Sequence, residues 1–174
     1  MIQKDKQSHA IYLTISLKGH HAMNVHIRTI EPRDAADWAS LRVAFLPEIH
    51  DINQAEVDAF FLGQNPNLKE AIVALDQAQN LLGFIELNLR NNVPGSHQNT
   101  TPYIEAWYVL PPFQGQGIGQ KLIEFAEKWA RQQGFEELAS DTPIANEKSI
   151  VLHKKMGFKE IERVVCLLKP LSDE

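Results

Sequence analysis

Three glycines, Gly115, Gly117 and Gly119, stand at every second position where the apolar segment WYVLPPF gives way to the periodic stretch IGQKLIEFAEKWARQ. A glycine-rich turn from strand to helix exposes backbone N–H groups, because no Cβ blocks the approach and the helix dipole favours negative charge. The chemistry on offer is a grip on a phosphate. Around it lie acids in strand-like segments: Glu86 in LLGFIELNLR, Glu105 in YIEAWYVL and Asp141 in FEELASD. Alternation places Glu86 on a face with Phe84 and Asn88, Glu105 with Tyr103 and Trp107, and Asp141 with Ala139 and Glu137. Three carboxylates on neighbouring strands would form an anionic pocket that holds a cation or takes a proton from it. Glu86 also has a purely structural partner in reach, Arg90 four residues along. Glu105 is enclosed by apolar neighbours, where an unpaired carboxylate is costly, and this favours a functional role.

The glycines fit no dinucleotide or P-loop grip. Counting from Gly115, the sixth position of Gly-x-Gly-x-x-Gly is Gln120; counting from Gly117 it is Leu122; and no Gly-Lys-Ser/Thr follows. The pattern present is Gln/Arg-x-x-Gly-x-Gly/Ala, as Gln114-Gly115-Gln116-Gly117-Ile118-Gly119, preceded by Val109, Leu110 and Pro111 and followed by Leu122 and Ile123.

The elements that must position these residues can be read by period. NVHIRTI reads as a strand, and EPRDAADWASLRVAF as a helix with Pro32 near its start and Ala35, Trp38, Leu41 and Phe45 on one face. NQAEVDAFFLG is a second helix ending at Gly63, and LKEAIVALD with LLGFIELNLR, across QAQN, forms a hairpin. YIEAWYVL is the next strand. The helix after the glycine turn runs from about Ile118 to Gln133, with Leu122, Ile123, Phe125, Ala126 and Trp129 inward. FEELASD is a strand, Asn146 to Met156 a helix, and FKEIERVVCLLKPL a final strand. The order predicts one layered α/β domain with a mixed sheet.

With 174 residues and 44% hydrophobic composition the chain has the core of a single domain. A net charge of −5 without a Lys/Arg block argues against nucleic acid and leaves room for a cationic small molecule. No stretch approaches the roughly 20 apolar residues of a membrane span. The single cysteine, Cys166, excludes a disulfide within the chain, fits a reducing cytoplasm, and is expected in the core. Residues 1–22 alternate like a strand at Ile11, Leu13, Ile15 and Leu17, so they are an extra edge strand or an upstream extension; the main domain spans 23–174.

The glycine motif, its flanking strand and helix, and the later block NEKSIVLHKKMGFKE together resemble the GNAT superfamily of acyl-CoA-dependent N-acetyltransferases. The resemblance covers Met23 to the C-terminus. It implies a mixed sheet splayed in the middle, with helices on both faces, and acetyl-CoA as co-substrate with no metal. The turn from Gln114 through Gly115, Gln116, Gly117 and Ile118 to Gly119 would cradle the pyrophosphate. The pantetheine arm would pair along Trp107, Tyr108 and Val109, a backbone N–H near Val109 would polarise the thioester carbonyl, and Asn146, also an apt helix cap, would contact the same arm.

Within the superfamily, YIEAWYVLP, ELASDT, LHKKMGF and KEIERVV resemble the bacterial aminoglycoside 6'-N-acetyltransferases. By that likeness Glu105, Asp141 and Glu162 would bind the ammonium groups of the acceptor. Asp141, or a water held near Glu105, would help deprotonate the attacking amine, and His153 would stand as general acid. The likeness also implies a homodimer. The chain departs from the branch at Phe45, Leu46 and Pro47 and at Asn92, Val93, Pro94 and Gly95, segments expected on the acceptor side. Transfer to a polyamine or to a protein or peptide amine remains an alternative, as does a non-catalytic acyl-CoA-binding module. Having both Glu105 and Asp141 favours an active enzyme.

Overall fold

A computed structural model describes residues 23–171; the expected N-terminal extension, residues 1–22, lies outside the described residues. Five strands follow one another across a single sheet in the order β1-β2-β3-β4-β5. They are β1 (His26–Thr29), β2 (Glu70–Leu75), β3 (Leu81–Asn91), β4 (Thr100–Val109) and β5 (Ala139–Ser140). Pairing is antiparallel from β1 to β4 and parallel between β4 and β5. The helices are α1 (Ala35–Phe45), α2 (His50–Phe61), α3 (Ile118–Gln132) and α4 (Glu147–Lys155).

A short 3-10 turn, Pro32–Asp34, leads into α1. The Asp34 carboxylate accepts the Glu31 N–H at 2.8 Å and takes two hydrogen bonds from Arg28, at 2.6 and 2.9 Å. Arg28 holds the Asp34 carboxyl below its ordinary range, so β1 and the start of α1 are pinned together by charge.

The sheet divides the core into two clusters. On one side α1 and α2 bring Trp38, Leu41 and Val57 against Val73, Phe84 and Ala106. On the other α3 brings Ile118, Leu122, Ile123 and Ala126 against Ile72, Ile85 and Ile104. Because both faces of β3 are covered, residues Leu81 to Asn88 are buried without a break.

Several expectations need correction. The helix expected from Asn53 begins at His50. β5 holds only Ala139 and Ser140 of the expected FEELASD strand. The expected final strand FKEIERVVCLLKPL is unpaired and, beyond Phe158, exposed, with Leu167 91% and Leu168 95% accessible. Its apolar pattern is that of a strand, but no neighbouring edge of the described chain pairs with it. Cys166 lies in that stretch and is therefore exposed, not in the core.

Candidate functional site

The glycine turn joins the end of β4 to α3 through a 3-10 turn, Pro111–Phe113. Gly115 and Gly117 have φ of 75° and 81°, and a Cβ added at either would meet nothing within 4 Å. Backbone conformation, not packing, therefore demands glycine there. Gly119 is different: its Cβ would sit 3.0 Å from Trp107 Cζ2, so its role is close contact between α3 and β4. Gly117 is the N-cap of α3 and no side chain caps the helix. The first bond back into the helix is from Lys121 N–H to Gly117 O at 3.1 Å, which leaves the N–H groups of Ile118, Gly119 and Gln120 open. The N–H groups of Gly115, Gln116 and Gly117 also find no backbone acceptor among the described residues. Gln114 departs from expectation, because its N–H is taken by Pro111 O at 3.3 Å while its side chain donates to Val109 O at 2.8 Å. It braces the turn. An open, uncapped helix start of this kind fits an anionic phosphate.

The turn sits at the end of a split in the sheet. β4 and β5 pair at Tyr103–Ala139 and Ile104–Ser140, so among the described residues the β4 edge from Glu105 through Trp107, Tyr108 and Val109 has no strand beside it. That unpaired edge runs directly into the glycine turn. An extended ligand arm can pair there as an added strand does.

A β-bulge at Glu105 reassigns the faces of β4. Glu86 pairs with Ala106 and Leu87 with Ile104, which leaves Glu105 as the extra residue. Strict alternation put Glu105 and Trp107 on one face. Instead Glu105 and Ala106 line a cavity on the α1–α2 side, while Trp107 packs toward α3 with Ile104 and Val109.

Glu105 is not unpaired. Arg90 Nε donates to its Oε1 at 2.8 Å and Arg90 Nη2 binds its Oε2, while the guanidinium stacks 3.7 Å from the Tyr103 ring centroid. Burial first, then the charge of Asp141, pushes the Tyr103 phenol up to about 12. Asp141 follows Ser140, which pairs with Ile104, and so stands next to the Tyr103–Glu105 segment of β4. The fold brings Glu105 and Asp141 to one end of the split, linked through Arg90 and Tyr103. Glu162 lies in the exposed stretch after α4 and forms no ion pair with a described residue. Glu137, expected beside Asp141, instead accepts from Ser96 Oγ and from the His97 N–H at 3.1 Å, closing the loop between β3 and β4.

His153, on α4, stands between Trp107 and Phe158, each edge-to-face with centroids 5.2 Å away. Its Nδ1 lies 2.8 Å from Ser149 O, a carbonyl that can only accept, so Nδ1 carries the proton. Nε2, 3.0 Å from Ser140 Oγ, is then the acceptor. Asn146 caps α4, its Oδ1 accepting from Ser149 N–H at 3.2 Å.

The sequence reading missed Arg42. Its Nε donates to Glu86 Oε1 at 2.8 Å, beside the Trp38 indole N–H at 2.9 Å. Its remaining nitrogens reach Asn53 Oδ1 at 2.8 Å and Glu56 Oε2 at 2.7 Å. Glu86 therefore pairs with Arg42, not with Arg90. The signal was present in the helix: Arg42 lies four residues after Trp38 on its buried face.

The chain matches the model of the acetyltransferase (GNAT) family over residues 35–158. Aminoglycoside N(6')-acetyltransferase type 1 of Klebsiella aerogenes is 34% identical over 146 residues, spanning 83% of this chain and 96% of that protein. Its namesake from Stenotrophomonas maltophilia is 36% identical over 153 residues, spanning 84% and 94%. Among solved structures, AAC(6')-Iy in complex with the bisubstrate analog CoA-S-monomethyl-acetylneamine superposes with a TM-score of 0.76 at 26% identity, over 84% of this chain and 99% of that one. An uncapped glycine turn, a split sheet and these likenesses lead to one assignment: the chain belongs to the acetyltransferase (GNAT) family, on the branch whose curated members are named aminoglycoside 6'-N-acetyltransferases.

Proposed function

We propose that the protein transfers acetyl from acetyl-CoA directly to the 6'-amine of an aminoglycoside. The observation that carries this reading is the unpaired β4 edge at Trp107, Tyr108 and Val109, which ends in the uncapped turn and passes beside Glu105 and Asp141. Acetyl-CoA supplies an activated acyl group whose thioester is attacked by a neutral amine. The N–H groups from Gly115 to Gly119 hold the pyrophosphate, and Asn146 contacts the pantetheine arm from the start of α4. A backbone N–H near Val109 draws charge onto the carbonyl oxygen as it develops.

As the new C–N bond forms and the C–S bond breaks, the ammonium proton passes to Asp141 or to a water beside Glu105. The departing thiolate takes a proton from His153. In that role the ring is the imidazolium: Nδ1–H stays on Ser149 O, the proton given up is the one on Nε2, the nitrogen turned toward Ser140, and its loss leaves the neutral ring described above. No covalent enzyme intermediate is needed, because orientation and a polarised carbonyl supply the acceleration. Glu105, Asp141 and Glu162 are the acceptor's anionic contacts, with Glu162 swinging in from the exposed stretch.

The protein acts as a cytoplasmic homodimer without a nucleic-acid partner. The apolar run Val164, Val165, Leu167 and Leu168 stands in solvent in a single copy, beyond an edge strand of two residues, and a second copy offers a surface to cover it. Light scattering of the parent and of a Leu167→Glu, Leu168→Glu variant tests this: the parent should be a dimer and the variant a monomer. The function itself is tested by release of free thiol from acetyl-CoA with a panel of amines. Kanamycin-like acceptors with a 6'-amine should be acetylated; transfer only to polyamines or peptides would overturn the acceptor assignment and leave the family.

A further inference from the structure

The cavity between α1, α2 and the β3–β4 pair has a volume of about 190 Å³ and a floor that the reaction above leaves unused. Its lining includes Phe45, Leu46, Glu56, Phe84, Glu86 and Glu105. Glu86 is only 4% exposed, yet its two oxygens differ. Oε1 receives both the Trp38 indole N–H and Arg42 Nε, while Oε2 accepts no hydrogen bond from any described residue. That oxygen is not sealed in the core and keeps access to the cavity, where it can take a donor that arrives.

The charges point to the kind of donor. Among the described residues Arg42 is the cation paired with this cluster, and it faces two carboxylates, Glu86 and Glu56, at 2.8 and 2.7 Å. Glu105, across the cavity, has its own cation in Arg90. Two carboxylates therefore share one cation between α1, α2 and β3. The walls beside it are aromatic, with Phe45 and Phe84 edge-to-face at 6.3 Å, and aromatic faces also favour a cation. The volume admits an aminoalkyl group and not a whole oligosaccharide.

We propose that this cavity is a second ammonium subsite: a further amine of the acceptor, beyond the one acetylated, docks against Glu86 Oε2 with Glu56 behind it, making Glu86 a determinant of selectivity for acceptors with several amines. The inference rests on the acceptor reading given above and deepens it. The bulge at Glu105 is what joins the two subsites, since it turns Glu105 into the same cavity that Glu86 floors. Burial outweighs Arg42 and Trp38 and lifts the Glu86 carboxyl to about 7, so an arriving cation also restores its charge.

The test compares kcat/KM for neamine, which carries several amines, with that for 6-amino-6-deoxyglucose, which carries one, in the parent, Glu86→Gln and Glu56→Gln. Taking the ratio removes any general loss from packing. The neamine-to-monoamine ratio should fall about 10- to 100-fold in Glu86→Gln, the range of one charge-assisted hydrogen bond, and the fall should lie in KM. Glu56 is less buried than Glu86, so its variant carries the test if Glu86→Gln fails to fold; its ratio should fall as well. An unchanged ratio in the variants that fold overturns the subsite, whatever happens to their melting temperatures. Should the parent acetylate neither sugar, the acceptor reading fails, and calorimetric titration of neamine decides the subsite by itself. Weaker neamine binding in the variant supports it, and equal binding overturns it.

Discussion

Replacing Gly117 by valine separates a phosphate grip from a turn that merely changes chain direction. At φ of 81° a Cβ costs roughly 1–2 kcal/mol of backbone strain. No clash adds to this, since nothing lies within 4 Å of the new atom. In a domain of this size the loss corresponds to roughly 2–8 °C in Tm. The variant should therefore still unfold cooperatively. Acetyl-CoA at a hundred times its Kd stabilises the parent by about 2.7 kcal/mol, or roughly 5–11 °C. Valine at 117 stands in the open space through which a pyrophosphate must approach the N–H groups, so this ligand-induced shift should nearly vanish. Differential scanning fluorimetry over a series of acetyl-CoA concentrations reads both effects in one experiment. A variant that melts lower but gains as many degrees from acetyl-CoA as the parent would refute the grip, and the glycines would then serve the turn alone.

Three more outcomes can be checked. Arg42→Met leaves Glu86 buried without its cation and should destabilise by about 3–5 kcal/mol in urea unfolding, with partial recovery when Glu86→Leu is added. Because the folded pKa of Glu86 is raised from 4.5 to about 7, the folded protein holds a proton that the unfolded chain has lost between those values. This group makes stability fall as pH rises through that window and then level off, so the parent's stability relative to Glu86→Gln should be greater at pH 5 than at pH 7.5. Asp141→Asn should lower turnover with a 6'-amine acceptor while acetyl-CoA affinity, measured by calorimetry, stays nearly unchanged. If both fall together, Asp141 does not act on the acceptor.

The glycine turn proposed to meet the co-substrate was legible as a structure because its demands are local. A positive φ at Gly115 and Gly117 and an uncapped start to α3 are set by consecutive residues, and the motif records them. The acids proposed to meet the acceptor depend on contacts across the chain. Arg42 and Glu86 are 44 residues apart, and neither period nor composition says that they meet. The bulge at Glu105 leaves no mark in the alternation of β4, so Trp107, expected on the face of Glu105, lies on the other. Glu137 was grouped with the acids of the site because strand spacing suggested it, but β5 is too short to carry that spacing. The final apolar run reads as a strand in isolation, and whether it pairs depends on an edge that lies outside its own sequence.

The sheet that separates the two core clusters also separates two evolutionary problems. Trp38, Leu41 and Val57 support the wall at Glu86, while Ile118, Leu122 and Ile123 support the glycine turn, and the clusters share no residue. Substitutions in α1 and α2 can thus retune which amines are accepted without disturbing the packing that holds α3 in place. Effects from the two sides should combine nearly additively. New acceptor ranges can accumulate through successive changes on one face, each tolerated because the acyl-donor machinery on the other keeps its shape.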